Sequence, residues 1–333
     1  MSGFQIRAEL QQNQVAEEVS ALIAVTRPIL LGLVYALKQE VVLQVGGLRN
    51  LTLGLLARVY RQGDGDCGIC YEYAVHDAIR RRDPIVIDRV YEAMSKHCRV
   101  PGIHVESILF GAEKTGAIQL IDSAEKILTD DSRLLTGKRS QPPKLKTYIH
   151  MLAAAFSKES TRKSLPTSIN GLWKADLFLG CTDTDRWVGT SVKINPQHLE
   201  PANGLRIGIV PSHQGQTDAI RRDEAKNLII CPLPYDGAFM ELFYNAWGIV
   251  QQFLFADATL PKAVNLPIPT HRRVAKELAD RRQFPVLDVL DSLEPLAQPY
   301  LLHNKTENRV YLLTRRTESI TDTTIAPVSQ LLK

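Results

Sequence analysis

An α+β fold, with a mixed central sheet flanked by helices, is what this sequence predicts from three observations. Between Asn170 and Asn195, apolar and polar residues alternate with period two on either side of a polar turn, Cys181 to Arg186. Leu205–Val210 and Asn227–Cys231 are further short apolar runs ended by proline, as buried strands are. Long stretches before, between and after these runs space their apolar residues at helical intervals, ending with Gly237–Phe255.

The composition suits a folded globular protein: 333 residues, 44% hydrophobic and 23% charged. A net charge of +4 permits a nucleic-acid partner without demanding one. Met1 to Gln14 is polar and lacks the apolar segment of a secretory signal. Val19 to Leu37 is the most apolar stretch, and Arg27-Pro28 interrupts it. It reads as a buried helix pair broken at Pro28, with no membrane span. Five cysteines, an odd number without a framework, suggest a reducing, cytoplasmic setting. Cys67 and Cys70 form a lone CxxC and read as small residues at a helix start.

Four segments follow. Residues 1–62 form a helical N-terminal region, built on Leu22, Ile29, Leu33, Leu51 and Leu55. Residues 63–83 and 166–257 form the core. Residues 84–165 read as an all-helical insertion that contributes no strand. Residues 258–333 form a C-terminal region with a basic helix from His271 and a small hairpin near Tyr300–Leu302 and Arg309–Leu313. Thr217–Lys226 is polar and helix-capable.

Chemistry concentrates in the hairpin. Alternation places Leu177 and Val192 on the core face and Asp176 and Lys193 together on the other, open face. A carboxylate beside a lysine can hold Mg²⁺ and position water for phosphodiester hydrolysis. A second carboxylate comes from the helix after Asp66. There Glu72 shares a face with Ile69, Val75, His76 and Ile79, opposite Tyr73, Asp77, Arg80 and Arg81. A carboxylate on a core face is costly unless paired or metal-bound.

Asp176 followed by Ser191-Val192-Lys193 resembles the PD-(D/E)XK nuclease superfamily, whose fold is that of many restriction enzymes. Its motif is an Asp on one strand, acid-x-Lys on the next and often a Glu on a preceding helix. The order strand, strand, strand, helix, strand is similar too. Here Ser191 stands where Asp or Glu is usual. The resemblance implies an Mg²⁺- or Mn²⁺-dependent deoxyribonuclease acting in restriction, defence or repair. Glu72, Asp176 and the Val192 carbonyl would hold the metal, and Lys193 would position water. Ser191 would be a weak ligand beside Asn195, with Asp183 or Asp185 as a migrated acid. The other reading is a nuclease fold that keeps nucleic-acid binding or a scaffolding role without catalysis, which the loss of the acid at Ser191 favours.

Two basic segments are candidates for the DNA backbone: Lys138, Arg139, Lys144 and Lys146 in a Pro-rich stretch, and Arg272 and Arg273 on the C-terminal helix. Protein partners or a homo-oligomer remain compatible with the sequence.

Overall fold

The computed structural model describes residues 2–63, 66–110, 118–137, 141–212, 215, 217–259 and 266–297. Helices α1 (Ser2–Ala36), α2 (Gln39–Gln44), α3 (Leu53–Val59), α4 (Asp66–Arg80) and α5 (Pro84–Glu92) come first. Strand β1 (Val105–Leu109), α6 (Ile118–Ile127), β2 (Arg133–Leu135), α7 (Leu145–Ser157) and α8 (Glu159–Ser164) follow. The hairpin β3 (Leu177–Cys181) and β4 (Arg186–Val192) leads to β5 (Arg206–Pro211), β6 (Arg221–Asp223) and β7 (Leu228–Leu233). Helices α9 (Ala238–Phe255), α10 (Pro269–Ala279) and α11 (Val286–Leu293) close the described chain.

Local chemistry sets several of these bounds. Asp83 accepts the Val86 N–H at 3.1 Å and Pro84 takes the first turn of α5, where its missing N–H costs nothing. Thr52 caps α3 by accepting from Leu55 N at 3.1 Å. In the hairpin turn Asp185 adopts φ 52°, a left-handed conformation that Asp tolerates better than most residues.

The described strands form one mixed seven-stranded sheet in the order β1-β3-β4-β5-β7-β6, with β2 paired to β4. β1, β3 and β4 are antiparallel neighbours, β4, β5 and β7 are parallel, and β6 runs antiparallel to β7. β2 lies parallel to the first half of β4, and β5 lies parallel to the second half.

One face carries Leu177, Leu179, Val188, Val192, Ile207 and Ile229, which share a core with α1, α4, α5 and α9. The apolar residues of α1, α3, α10 and α11 join that same core. The other face carries Phe178 and Trp187, packed with Leu145, Ile149 and Leu152 of α7. A third, small cluster covers β5 and β7 with Leu199 and Ala202.

Four expectations need correction. Residues 84–165 are not all helical: β1 forms the sheet edge beside β3, and β2 pairs with β4. These strands have five and three residues, too short for a clear period. Thr217–Lys226 contains strand β6 where a helix was expected, because the edge of β7 recruits it. The second face of the hairpin is closed, since α6 and α7 cover it. Finally, α1 runs unbroken through Pro28. A helix-interior proline costs about 3 kcal/mol, and packing against α4, α9, α10 and α11 offsets it. Ala16–Ala36 is long and apolar enough to cross a membrane by length and composition, and 67% of that window is buried inside the protein. The C-terminal hairpin near Tyr300 and Arg309 lies outside the described residues.

Trp187, 0% exposed, crosses Gly180 of the neighbouring strand, and a Cβ at Gly180 would overlap its ring. Trp187 is further fixed by donating Nε1–H to Asp185 Oδ1 at 3.0 Å. Gly180→Ala is therefore expected to destabilise the fold by about 2–3 kcal/mol, an overpacking cost. Urea unfolding checks this, and an unchanged midpoint would contradict the tight crossing.

Candidate active site

Asp176 stands one residue before β3 and Lys193 one residue after β4, at the same end of the hairpin. The register pairs Leu177 with Thr190, and Asp176 N donates to Thr190 O at 2.8 Å. Lys193 N donates to Ile209 O at 3.0 Å, so β5 fixes the backbone from which its side chain departs.

The side chains meet. Lys193 Nζ donates to Asp176 Oδ2 at 2.7 Å and to Glu72 Oε1 at 2.9 Å. Glu72 comes from α4, 121 positions away in the chain from Lys193. The Asp176 and Glu72 carboxyls also lie within hydrogen-bonding reach of each other. Asp176 Oδ2 accepts a further bond from Val192 N at 2.8 Å. All three side chains are largely enclosed, at 12% exposure for Glu72, 14% for Asp176 and 29% for Lys193.

Two carboxylates and one ammonium would leave a net negative charge in this enclosed site. A unit pair at 4 Å gains about 4 kcal/mol near a protein surface, while stripping water from each ion costs several. One ammonium therefore does not hold both carboxyls ionised. Burial, then the neighbouring Asp176, pushes the Glu72 pKa up to about 8, against the pull of Lys193. Burial also raises Asp176, opposed chiefly by Lys193 and by the Val192 N–H. Burial acts to lower Lys193, but the two carboxyls outweigh it and its pKa rises. The enclosed site therefore favours a protonated Glu72 and a charged Lys193.

Arg206 was not singled out by the sequence. It opens β5, is 3% exposed, and has Asp176 as its strongest charged neighbour. Its Nη2 donates to Gly171 O at 2.6 Å, and its Nε has no hydrogen-bond partner among the described residues. The signal was present in the sequence as one charged residue at the mouth of an apolar strand.

The other sequence candidates add no side-chain bond to this contact. Ser191 is buried at 6% and faces Gly208 of β5 in the register. Val192 touches the site through its N–H, which bonds Asp176 Oδ2. Asn195 leaves the site, because its Oδ1 caps the turn Pro196–His198 by accepting from Gln197 N at 3.0 Å. Asp183 and Asp185 lie at the far end of the hairpin, beyond the five residues of β3, roughly 16 Å away. Asp183 accepts from the Ile103 and His104 N–H groups, and Asp185 from Ser132, Thr129 and Trp187. Both acids are structural.

His76 is a neutral core histidine: burial drives its pKa down to about 3, and Nδ1 meets Ser107 Oγ of β1 at 2.9 Å. Tyr73 is not on an open face of α4. It is 4% exposed and stacks on Tyr35 of α1 at 5.9 Å. Burial holds Cys67 up at about 11 and Cys70 well above the ordinary thiol range, so the CxxC carries no thiolate chemistry at neutral pH.

The basic candidates among the described residues are not gathered at this site. Lys138 and Arg139 lie outside the described residues. Lys144 precedes α7 on the layer below the sheet, and Lys146 is paired with Asp130 at 3.2 Å. Arg272 and Arg273 sit on α10, in the opposite layer, and Arg272 Nε donates to Leu266 O.

Comparison with models of known families, with curated proteins and with solved structures finds no match for this chain.

The raised Glu72 pKa has a signed consequence for stability. The unfolded side chain titrates near 4.5 and the folded one near 8. Between those values the folded protein binds one more proton, so stability falls as pH rises, by up to about 1.4 kcal/mol per unit. Glu72→Gln keeps a neutral side chain at all pH and is expected to remove that part of the slope. Urea unfolding of both proteins from about pH 5 to about pH 8.5 checks this. Parallel stability curves would show that Glu72 carries no extra proton.

Proposed function

We propose that the protein is a metal-dependent nuclease that hydrolyses phosphodiester bonds in DNA, built on a restriction-endonuclease-like core. The observation that carries this reading is the convergence of Glu72 from α4, Asp176 beside β3 and Lys193 beside β4 on one enclosed point. A structural ion pair needs one acid and one base. Here two acids crowd one lysine at a cost in desolvation, the pattern expected where function sets the residue choice.

The donor set suits a small hard cation. Mg²⁺ commonly takes one or two carboxylates and completes its shell with water and substrate oxygens. Glu72 and Asp176 supply two adjacent carboxyls, and among the described residues no group of three His, Cys, Asp or Glu side chains gathers anywhere. When bound between them, Mg²⁺ or Mn²⁺ would supply charge neutralisation at the phosphoryl oxygens.

The chain's own residues do the rest. Asp176 is held in one rotamer by the Val192 N–H, so its carboxyl is preorganised. Lys193 Nζ, anchored through β5, orients the attacking water and offsets the charge that develops on the phosphoryl oxygens. Glu72 would release its proton to solvent before its carboxylate could help hold the metal. Arg206 adds a further positive field near Asp176, smaller than the pull of Lys193 and of the Val192 N–H.

A second reading has one specific support. Ser191 removes the usual acid of the acid-x-Lys motif, which suits a catalytically silent nucleic-acid-binding or scaffold protein. Incubating plasmid and single-stranded DNA with the protein, in Mg²⁺, Mn²⁺ or chelator, separates the two. We expect metal-dependent cleavage in which Asp176→Ala and Lys193→Ala each lose at least about a hundredfold. Ser191→Ala loses little, and Ser191→Asp tightens metal dependence. Wild-type rates in both Asp176→Ala and Lys193→Ala would move the chemistry elsewhere, and no cleavage with either metal would favour the silent protein.

A further inference from the structure

The second face of the sheet is roofed by helices over β1, β3 and the start of β4. Among the described residues, the roof over β5 and β7 is only the segment from the turn Pro196–His198 to Ala202. That thin cover leaves a cavity of about 380 Å³. Its floor is apolar, formed by Val210, Ile230 and Pro232, and Leu199 forms one wall. Gln197 and Arg221 stand at its rim.

The walls are preformed. Lys226 Nζ donates to Leu199 O at 2.9 Å, and Ala202 N donates to Lys226 O at 2.8 Å. Ser212 Oγ, at the end of β5, accepts from Tyr235 N at 2.9 Å. Arg221 is different. It lies exposed on edge strand β6, and its side chain makes no ion pair or hydrogen bond with the described residues, whereas its neighbour Arg222 pairs with Glu224 at 3.1 Å.

The cavity adjoins the carboxylate site along two strands. Pro196 follows Lys193 by three residues, at most about 10 Å of chain. β5 gives its Ile209 carbonyl to Lys193 N and its Val210 side chain to the cavity floor. Successive nucleotides of one strand in a duplex rise about 3.4 Å, and more when extended, so a neighbour of the scissile phosphate reaches this opening. An apolar floor with the unpaired Arg221 guanidinium at the rim suits a flat base carrying a phosphate, and the volume lies within the range of small-ligand pockets. Asp223, whose Oδ1 accepts from Lys226 N at 3.0 Å, and Gln197 offer polar contacts to a base edge.

We propose that this cavity receives one unpaired nucleotide of the DNA strand, base against Val210, Ile230 and Pro232 and phosphate at Arg221, beside the phosphodiester held at Lys193. The proposal rests on the nuclease reading and adds a substrate class to it, a strand that is single or locally opened.

Fluorescence anisotropy in chelator, where no strand is cut, tests it with a labelled single-stranded oligodeoxynucleotide and its duplex. Wild type is compared with Arg221→Ala and with Gln197→Trp, which fills the mouth from an exposed position. Wild type binds the single strand more tightly than the duplex, and each variant loses about tenfold on the single strand. Arg221→Ala also flattens the salt dependence by about one phosphate contact, while Gln197→Trp does not. Absence of binding, equal affinity for duplex, or variants that bind like wild type would overturn it. Loss of single-strand binding in Arg221→Ala without any metal-dependent cleavage would sink the nuclease reading and leave the cavity standing. Asp176-dependent cleavage with both cavity variants binding as wild type would sink the cavity alone.

Discussion

The contact on which this structure turns is the Lys193 ammonium held between the Glu72 and Asp176 carboxyls. Crowding two acids is unfavourable, so the elements that carry them must be held in place by other contacts. α1 lies across α4, and their contact includes the Tyr35–Tyr73 stack and the Cys70 Sγ bond to Ile29 O at 3.4 Å. Just past the end of α4, Arg81 bonds Asp77 at 2.8 Å and Glu294 at 2.7 Å, and Glu294 also pairs with Arg27 of α1. Arg27 Nε reaches Leu290 O of α11 at 2.8 Å. The N- and C-terminal helices thus clamp the helix that delivers Glu72. Their packing, remote from the chemistry, sets where that carboxyl sits.

Ser191 fits the same electrostatics. An acid there would add a third carboxyl to a site in which Glu72 already retains a proton because the charge is too costly to bury. Serine avoids that repulsion. The neighbouring strand offers Gly208 opposite Ser191, and a Cβ at Gly208 would meet Leu199 at 3.0 Å. The backbone around this position is therefore closely packed, between the carboxylate site on one side and the β5–β7 cavity on the other.

Much of the site was legible in the sequence because it obeys simple periods. Period-two alternation set Asp176 and Lys193 on one side of the hairpin, and helical spacing put Glu72 among Ile69, Val75 and Ile79. What stayed hidden depends on partners distant in sequence. β1 and β2 are strands because β3 and β4 offer edges, and five or three residues show no period of their own. Pro28 looked like a break because the helices packed around α1 cannot be read locally. The hairpin's second face looked open because α6 and α7 arrive from a segment read as a separate insertion. Arg206 escaped notice because its importance is its nearness to Asp176, which only the β4–β5 pairing creates. Asp183 and Asp185 looked available for metal, but the turn uses them as acceptors for backbone and side-chain donors.

The central claim is that Glu72 and Asp176 together hold a divalent cation. Titrating Mn²⁺ into the full chain without nucleic acid, followed by electron paramagnetic resonance of the free ion, tests it directly. The account predicts one bound Mn²⁺ per wild-type chain, lost in Asp176→Ala and weakened in Glu72→Gln, with both variants folded by circular dichroism. Equal Mn²⁺ uptake by wild type and Asp176→Ala, or none by wild type, would contradict it.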